Sequence, residues 1–361
     1  MDLANERGLM PRFNPDTLRV IGYQLFEAAG CSPEDARFVA NHLVESNLFG
    51  HDSHGVIRYI EYIQAIRDGR FQVQGSPRII RETPCTAVVD GGAALGQLGG
   101  RFAMQLAMKK ARGHGLGAVT LRNTSHLGRI GAYPLMAAEE GLIALAFVNA
   151  GRLGYQIAPY GGIDGRLSTN PIAFAAPRRG AKPIMVDMTT SVAAEGKVRV
   201  AVNEGRSVPE GWLIDSAGQP TTDPRALIAD PPGAILPLGG VVAHKGYGLS
   251  IVVELLGGAL SGEGCAAGFK VLHSNGVLFS VYSIEHFTDR DSYYDELEGL
   301  LRHIRSSRLA PGFSEILAPG EPEFRSAQRR TQEGIEVDDT TWEKVLATAR
   351  NVGVDPVAWK L

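Results

Sequence analysis

The chain has few cysteines, and its charges of opposite sign nearly balance. Its 361 residues include three cysteines, Cys31, Cys85 and Cys265, which lie far apart and fit no metal-binding spacing. Such cysteines are typical of reduced thiols in the cytosol, so we expect no disulfide. Lys and Arg number 36 against 39 Asp and Glu, a formal net charge of −3, which leaves no basic field to bind a nucleic-acid backbone.

Long apolar runs are also missing. The residues before Phe13 carry charges and lack the apolar core of a signal peptide, and the longest apolar stretches are interrupted by Asn149, by Lys245 or by Glu254. The sequence therefore predicts a cytoplasmic protein that is neither secreted nor embedded in a membrane.

Glycine, in contrast, is abundant. Its 44 residues make up about 12% of the 361, against a usual ~7%, and they are clustered rather than periodic. This clustering excludes collagen and indicates tight turns and close approach of the backbone to other groups. The length predicts two or three domains, at about 150 residues each.

The first 70 residues predict three helices. The first runs from Asn14-Pro15 to Gly30, and the second from a capping sequence at Ser32 to about Gly50. The third is expected to begin near Asp52 or Ser53 and to end at Gly69. These helices form a small helical unit.

From about Arg78 short strand patterns alternate with helical ones, which predicts a mixed α/β domain. The predicted strands are Thr86–Asp90, Ala118–Arg122, Leu142–Asn149, Ile172–Ala176, Ile184–Met188 and Gly276–Tyr282. The predicted helices are Arg101–Arg112, Ile130–Glu140, Val192–Asn203, Gly246–Leu260, Ser292–Ile304 and Asp339–Arg350. Because the last helices could return to the N-terminal ones, we predict a helical domain of residues 1–75 and about 300–361, and an α/β domain of residues 76–299.

One stretch, Gly113 to Ala118, matches the dinucleotide-binding pattern G-x-G-x-x-A. A phosphate-binding glycine loop must follow a strand and open a helix, so that the helix N-terminus faces the phosphates. These glycines instead end a predicted helix and precede a strand. We therefore interpret them as a helix C-terminus and not as a Rossmann loop.

A carboxylate-binding pair is suggested by His54 and Arg58. Four residues apart at a helix start, they are expected to share one face. A guanidinium binds a carboxylate through two hydrogen bonds, and a neighbouring imidazolium can give a proton to an adjacent carbonyl oxygen. The alternative is a solvated helix face or N-cap. A metal site at His51 and His54 is disfavoured because no third ligand lies nearby.

Three further segments carry polar groups beside predicted strands or helices. His126 follows a strand, where it could be a second acid/base group or a backbone cap. Lys245 begins an apolar helix, where its charge opposes the helix dipole unless an anion binds. Asp187 ends an apolar strand, where it could cap the following helix or support His54 as a proton donor.

Six motifs in this order resemble the malate/L-lactate dehydrogenase type 2 family, which includes sulfolactate and ureidoglycolate dehydrogenases, 2,3-diketogulonate reductase and a reductase of cyclic imino acids. The stretch of residues 158–167 resembles its hydroxycarboxylate dehydrogenases in particular. The resemblance extends from about residue 15 to Glu321. The motifs are His51 to Arg58, Asn123 to Gly128, Ser168 to Phe174, Asp187 to Ser191, Pro209 to Trp212 and His244 to Gly248.

The resemblance implies an NAD(P)-dependent oxidoreductase, commonly a homodimer, whose cofactor domain has a mixed sheet and is not a Rossmann fold. Ser53, His54 and Asp187 match a Ser-His-Asp relay with His as proton donor, and Arg58 matches the residue that holds the substrate carboxylate. In ureidoglycolate-type members a His at the position of His126 is the base, so the two histidines compete. The matched cofactor contacts are His126, Leu127, Gly128, Thr169, Asn170, Pro171, Lys245, Gly246, Gly320 and Glu321, with Thr169 also expected at the substrate.

The sequence thus predicts reversible reduction of a small 2-oxo acid to a 2-hydroxy acid with NADH or NADPH and without a metal. Three alternatives stay open. The same carboxylate clamp would serve a reductase of cyclic imino acids such as piperideine-2-carboxylate. A Ser-His-Asp hydrolase would need Ser53 as nucleophile, although no nucleophile elbow is present. A sensor that has kept the dehydrogenase fold would bind no cofactor.

Overall fold

The computed structural model describes residues 11–151, 155–267 and 274–359. Ten α-helices lie in these residues: α1 Pro15–Ala28, α2 Pro33–Leu48, α3 Arg58–Arg67, α4 Gly96–His114, α5 Ala132–Glu139, α6 Glu195–Glu204, α7 His244–Val253, α8 Arg290–Arg305, α9 Glu321–Glu333 and α10 Asp339–Asn351. The same residues contain twelve strands: β1 Arg12–Phe13, β2 Arg78–Glu82, β3 Thr86–Asp90, β4 Leu116–Thr124, β5 Leu142–Asn149, β6 Ile172–Ala176, β7 Ile184–Met188, β8 Leu213–Ile214, β9 Pro220–Thr221, β10 Ala234–Ile235, β11 Asn275–Ser283 and β12 Ile335–Glu336.

The chain divides into two compact units. Unit 1 contains the residues up to Gln74 and those from Pro322 onward, and unit 2 is Gly75–Glu321. The expected return at about residue 300 therefore lies later, at Pro322. The reason is that α8 is bound to unit 2, where Arg178 forms a two-bond ion pair with Glu298 at 2.8 and 3.0 Å.

Unit 1 is mainly helical, and its first two helices begin where the sequence predicts. Asn14 caps α1 by accepting a hydrogen bond from the Asp16 N–H, and Ser32 caps α2 in the same way. The apolar face of α1 is fully buried, and the Tyr59 hydroxyl of α3 donates to the Leu18 carbonyl at 2.9 Å. This bond ties α3 to α1.

The third predicted helix begins later than expected. Residues Asp52–His54 form a separate 3₁₀ turn, and α3 starts at Arg58. The break lies at Gly55, where a Cβ atom would stand 2.0 Å from the Asn47 side-chain oxygen. That oxygen instead accepts the Val56 N–H at 2.8 Å. The expectation that His54 and Arg58 share one helix face was therefore wrong.

Unit 2 is built on a mixed sheet, as predicted, and its seven strands have the order β2-β3-β4-β11-β5-β6-β7. Only β3 and β4 pair in parallel, and every other neighbouring pair is antiparallel. Buried and partly exposed side chains alternate along β5, and α4 and α5 contribute to the same core as its buried side chains. Four predicted strands, Thr86–Asp90, Leu142–Asn149, Ile172–Ala176 and Ile184–Met188, are confirmed with these bounds.

Several parts of the fold were not predicted: strand β2, the pairing of β1 with β12, a small second sheet in unit 2, and helix α9. A small antiparallel sheet of order β10-β8-β9 has strands of only two residues each, too short for a periodic pattern. Helix α9 is strongly polar and carries no buried residue, so it lacks the apolar stripe by which helices are recognised.

The glycines of the failed dinucleotide pattern end a helix, as predicted. Helix α4 terminates at Gly115, which has a φ of +83° and donates its N–H to the Ala111 carbonyl, and β4 follows at once. The C-terminus of α4 thus lies at this turn. A helix C-terminus is the negative end of the helix dipole, so a phosphate is disfavoured here.

The strand directions bring several loops to one end of the sheet. Strands β3, β4, β5 and β7 run the same way, and β11 and β6 begin at the end where these strands finish. The register pairs Asn275 with Thr124, and Ile172 with Met188. The loops that carry His126, Thr169 and Asn149 therefore lie at this end, which we call the loop end of the sheet.

Candidate active site

In unit 1 a short turn gathers a hydroxyl, an imidazole and a guanidinium. The Ser53 hydroxyl lies 3.0 Å from His54 Nδ1, and Arg58 Nε donates to the Ser53 carbonyl at 2.7 Å. Arg58 also pairs with Glu61 one turn along α3. The backbone of Ser53 thus connects Arg58 to the His54 turn, although the two side chains do not share a helix.

The turn is held by residues that the sequence did not single out. Asp52 accepts two bonds from the Arg330 guanidinium, at 2.6 and 3.0 Å, and a third from the Asn47 amide at 2.7 Å. Arg330 lies in α9, 278 positions away in the chain. No local pattern could have predicted this pair, since α9 itself was not predicted.

In unit 2 the loop after β4 carries His126, Leu127 and Gly128. Leu127 is fully buried, its N–H donates to Asn275 at 3.3 Å, and its carbonyl accepts the Tyr133 hydroxyl at 2.6 Å. Gly128, with a φ of +75°, donates to His126 Nδ1 at 3.3 Å. Leu127 therefore anchors this loop to the core, and the His126 ring accepts a hydrogen bond from the backbone of the same loop.

The loop before β6 carries Thr169, Asn170 and Pro171. The Thr169 carbonyl accepts the Thr190 N–H at 3.0 Å, which joins this loop to the residues after β7. Asn170 is fully buried, and its side chain bonds to Ser250 and Glu254. The Thr169 hydroxyl is half-buried and makes no hydrogen bond within the part of the chain that the structure describes, so it is available to a ligand.

Asp187 caps a helix, although not the one that follows it. Its Oδ2 accepts the Gly131 N–H at 2.7 Å, at the start of α5. This hydrogen bond uses one carboxylate oxygen. It also ties the end of β7 to the segment that follows the His126 loop.

The two other predicted segments lie outside these loops: Lys245–Gly246 is in the first turn of α7, and Gly320–Glu321 is beside β7. Lys245 is exposed in the first turn of α7, five residues before Ser250, which bonds to Asn170 at 3.0 Å. The Gly320–Glu321 segment lies along the edge strand β7, where the Pro319 carbonyl accepts the Met185 N–H. Burial would raise the pKa of Glu321, but the Ala318 N–H and Arg305 outweigh it and lower that pKa.

Neither a metal cluster nor a membrane span is found in the residues that the structure describes. No three His, Cys, Asp or Glu side chains there are grouped so as to hold a metal ion. None of the described helices is both long and apolar enough to cross a membrane. All three cysteines are free thiols.

Known proteins resemble most of the chain. The sequence pattern of the family described as malate/L-lactate dehydrogenase matches residues 13–346. Hydroxycarboxylate dehydrogenase B of Escherichia coli strain K12 is 34% identical over 353 residues, 95% of each chain. The solved structure of malate dehydrogenase from Pyrococcus horikoshii OT3 has a TM-score of 0.86 at 34% identity, covering 98% of this chain and 99% of that one.

A solved structure that is named for a different activity is also similar. The δ1-piperideine-2-carboxylate reductase of Pseudomonas syringae has a TM-score of 0.80 at 29% identity, covering 94% of this chain and all of that one. The same fold thus occurs in proteins named for hydroxy acids and in one named for a cyclic imino acid.

Proposed function

The chain belongs to the malate/L-lactate dehydrogenase family, and we propose that it reversibly reduces a small 2-oxo acid to the 2-hydroxy acid with a nicotinamide cofactor. The observation that carries this proposal is the turn in which Ser53 is bonded to both His54 and Arg58. A carboxylate-binding group beside a proton donor is what a 2-oxo acid requires, since its carboxylate and carbonyl are adjacent.

Each residue has a distinct task in the proposed reaction. Arg58 binds the substrate carboxylate with the guanidinium N–H groups that Ser53 does not use, in exchange for Glu61. His54 gives its proton to the carbonyl oxygen as the carbonyl carbon receives a hydride, and the product is the neutral hydroxyl. Ser53 holds the ring through Nδ1, and Asp187 matches the carboxylate of the relay in the family motif.

The loop end of the sheet and the first turn of α7 offer suitable groups for NADH or NADPH, which would supply the hydride. Thr169 has a free hydroxyl, and Lys245 is an exposed cation without an ion pair among the described residues. A hydroxyl suits ribose or amide groups, and a cation suits phosphate. We therefore assign the loops at His126–Gly128 and Thr169–Pro171, together with Lys245 and Gly246, to the cofactor, with Gly320 and Glu321 at its periphery.

The decisive experiment follows nicotinamide absorbance with the purified protein, pyruvate, oxaloacetate or 2-oxoglutarate, and either NADH or NADPH. Oxidation of one cofactor with stoichiometric 2-hydroxy acid supports the proposal and identifies the preferred cofactor. Hydrolysis of acyl esters without any nicotinamide change would assign the chain to the hydrolases instead. Failure to bind either cofactor would indicate a sensor.

Reduction of a cyclic imino acid is the second candidate, because the piperideine-2-carboxylate reductase shares the fold. Such a substrate also carries a carboxylate beside its reducible C=N bond, so Arg58 would serve it equally. The ratio of kcat/KM for the 2-oxo acids to kcat/KM for piperideine-2-carboxylate separates the two. A ratio above one supports the hydroxy-acid activity, and a ratio below one favours the imine reductase.

We also propose a cytoplasmic homodimer. Exposed apolar side chains cluster on α7 and the π-helical turn after it, namely Leu249, Val252 and Leu255, which a second copy would bury. Sedimentation should give twice the chain mass, and Leu255→Asp should shift the protein to monomer. A wild-type monomer at micromolar concentration would contradict the proposal.

A further inference from the structure

Two carboxylates are buried in one short segment of unit 2. The π-helical turn Glu254–Ala259 follows α7, and the chain continues through a turn to Gly264. Glu254 and Glu263 are 5% and 3% exposed, the lowest exposures of any described glutamate. A buried carboxylate is costly unless it is hydrogen-bonded, so the partners of these two glutamates indicate what they are for. We call residues 254–264 the π segment.

Glu254 holds the loop before β6. Its Oε1 accepts the Asn170 amide at 2.7 Å, and its Oε2 accepts the Asn149 amide and the Ala266 N–H, each at 2.7 Å. Asn170 has a φ of +39°, in the left-handed region that residues other than glycine adopt at a cost. Glu254 therefore stabilises an unfavourable backbone conformation between Thr169 and Pro171.

Glu263 holds the end of β4, just before the His126 loop, in a similar way. Its Oε2 accepts the Asn123 N–H at 2.6 Å, and its Oε1 makes no hydrogen bond with any described residue. Asn123 is also left-handed, with a φ of +50°, and its amide bonds to Asp90 at 2.8 Å. His126 lies three residues later, in the loop after β4.

The two contacts depend on a close approach of the π segment to the strand ends. A Cβ atom at Gly257 would lie 2.9 Å from both the Asn149 nitrogen and the Gly276 oxygen, so only glycine allows this spacing. A π-helical turn is itself uncommon and is frequent at functional sites. The segment thus reaches Asn123 and Asn170, two of the three left-handed non-glycine residues in the described chain.

We propose that Glu254 and Glu263 are positioning residues for the nicotinamide cofactor, each fixing a left-handed asparagine within a cofactor loop or at the strand end that precedes one. This inference rests on the proposed function, which assigns both loops to the cofactor. Neither glutamate touches the reacting atoms. Their effect is to hold the Thr169 and His126 loops in a fixed arrangement before the cofactor arrives, which lowers the cost of ordering them on binding.

Glutamine substitutions separate the two contacts because the oxygens are used differently. Both carboxylate oxygens of Glu254 accept hydrogen bonds. Glu254→Gln replaces one of these oxygens by an NH₂ group, which would face a hydrogen-bond donor. The cofactor Kd should therefore rise about tenfold. Glu263→Gln can keep one oxygen on the Asn123 N–H and should bind cofactor as the wild type does. Glu263→Ala leaves that N–H unpaired and should raise the Kd about tenfold.

The readouts are the Kd for NADH and for NADPH by fluorescence titration, and kcat and KM at saturating cofactor. The Kd should rise more than kcat falls. The control is Lys110→Met, which removes a buried side chain that bonds to Glu82 and to the Thr83 carbonyl at the opposite end of the sheet. It should lower the Tm and leave the Kd unchanged. Asn170→Gly tolerates the left-handed backbone but loses the Glu254 contact, and should raise the Kd without adding bulk.

Several results would overturn the proposal. Wild-type Kd values for Glu254→Gln and Asn170→Gly would show that the loop needs no support. Equal effects of Glu254→Gln and Glu263→Gln would assign the role to buried charge and not to loop geometry. A wild-type protein that binds neither cofactor contradicts the proposed function itself, a result that the unmodified chain reveals before any variant is made.

Discussion

At the residue scale, the Arg58 guanidinium is shared between structural and functional tasks. Its Nε binds the Ser53 carbonyl and one terminal nitrogen pairs with Glu61, which is half-exposed. The backbone bond sets the direction of the fork, and the exposed Glu61 can be displaced by a substrate carboxylate. A lysine offers a point charge and cannot form both sets of bonds.

Arg58→Lys should therefore raise KM for a 2-oxo acid more than it lowers kcat, with a loss of at least about tenfold in kcat/KM. Steady-state kinetics at saturating cofactor measure this. Arg67→Lys, at the exposed end of the same helix, is the matched control and should change neither constant. An unchanged kcat/KM in Arg58→Lys would remove Arg58 from the site.

Substitutions of the two candidate histidines should change different kinetic constants. His54 lies beside Arg58 through Ser53, whereas His126 lies in a loop assigned to the cofactor. His54→Asn should lower kcat for reduction by roughly 10² to 10⁴ with little change in cofactor Kd. His126→Asn should mainly weaken cofactor binding. Near-normal turnover of His54→Asn would move the proton-donor role to His126.

Asp187→Asn is the matching test of the proposed relay. Its Oδ2 accepts the Gly131 N–H, and an asparagine oxygen can still accept that bond, so the variant should fold. If Asp187 stabilises the protonated form of His54, the proton donor, its loss should move the fall of kcat for reduction at high pH to lower pH. A pH–rate profile identical to that of the wild type would exclude the relay.

At the scale of the element, we expect a substitution at the end of α4 to leave cofactor binding unchanged and one in the loop before β6 to weaken it. Gly113 is helical, and a Cβ atom there meets nothing within 4 Å, so Gly113→Ala should add up to about 1 kcal/mol of stability. It should not alter the cofactor Kd, because the glycines end a helix.

Thr169→Val, in contrast, removes a hydroxyl that no described residue uses. It should leave the Tm unchanged and raise the cofactor Kd about threefold to tenfold. The two variants are compared by calorimetry and by cofactor titration. A weaker cofactor Kd in Gly113→Ala, with none in Thr169→Val, would return the phosphate site to the glycine turn.

At the scale of the whole molecule, the ion pair between Arg178, which follows β6, and Glu298 of α8 should make stability depend on pH. The hydrogen bonds from Arg178 lower the pKa of Glu298, and the Arg178 side chain is only 10% exposed. A carboxylate whose pKa is lowered on folding binds fewer protons in the folded state than in the unfolded state. The free energy of unfolding should therefore fall as the pH falls below about 5.

Arg178→Met should flatten this acid dependence, because the Glu298 pKa returns toward its ordinary value, and it should also lower stability at neutral pH. Chemical denaturation between pH 3 and pH 7 measures both effects. Arg112→Met removes an ion pair with Glu140 in which both side chains are about half exposed, and should change little. An acid dependence identical in wild type and Arg178→Met would mean that other carboxylates are responsible.

Much of the fold could be predicted from local signals. Asn14 and Ser32 mark helix starts because their side chains cap the N–H groups that immediately follow. Strands such as Leu142–Asn149 were bounded correctly because a buried strand is a short apolar run between turns. Helix α9 was not predicted, since it carries no buried residue and its contact with Asp52 joins residues 278 positions apart in the chain.

The sequence by itself therefore determined the helix caps, the main strands, the helical ending of the glycine motif and the family. Each of these depends on neighbours within a few residues or on ordered motifs. Only the tertiary structure decided that Gly55 separates His54 from α3, that Asp187 caps α5, and that Glu254 and Glu263 hold two distant loops. Those facts depend on contacts between residues far apart in the chain, where burial turns a single carboxylate into an obligatory hydrogen-bond partner.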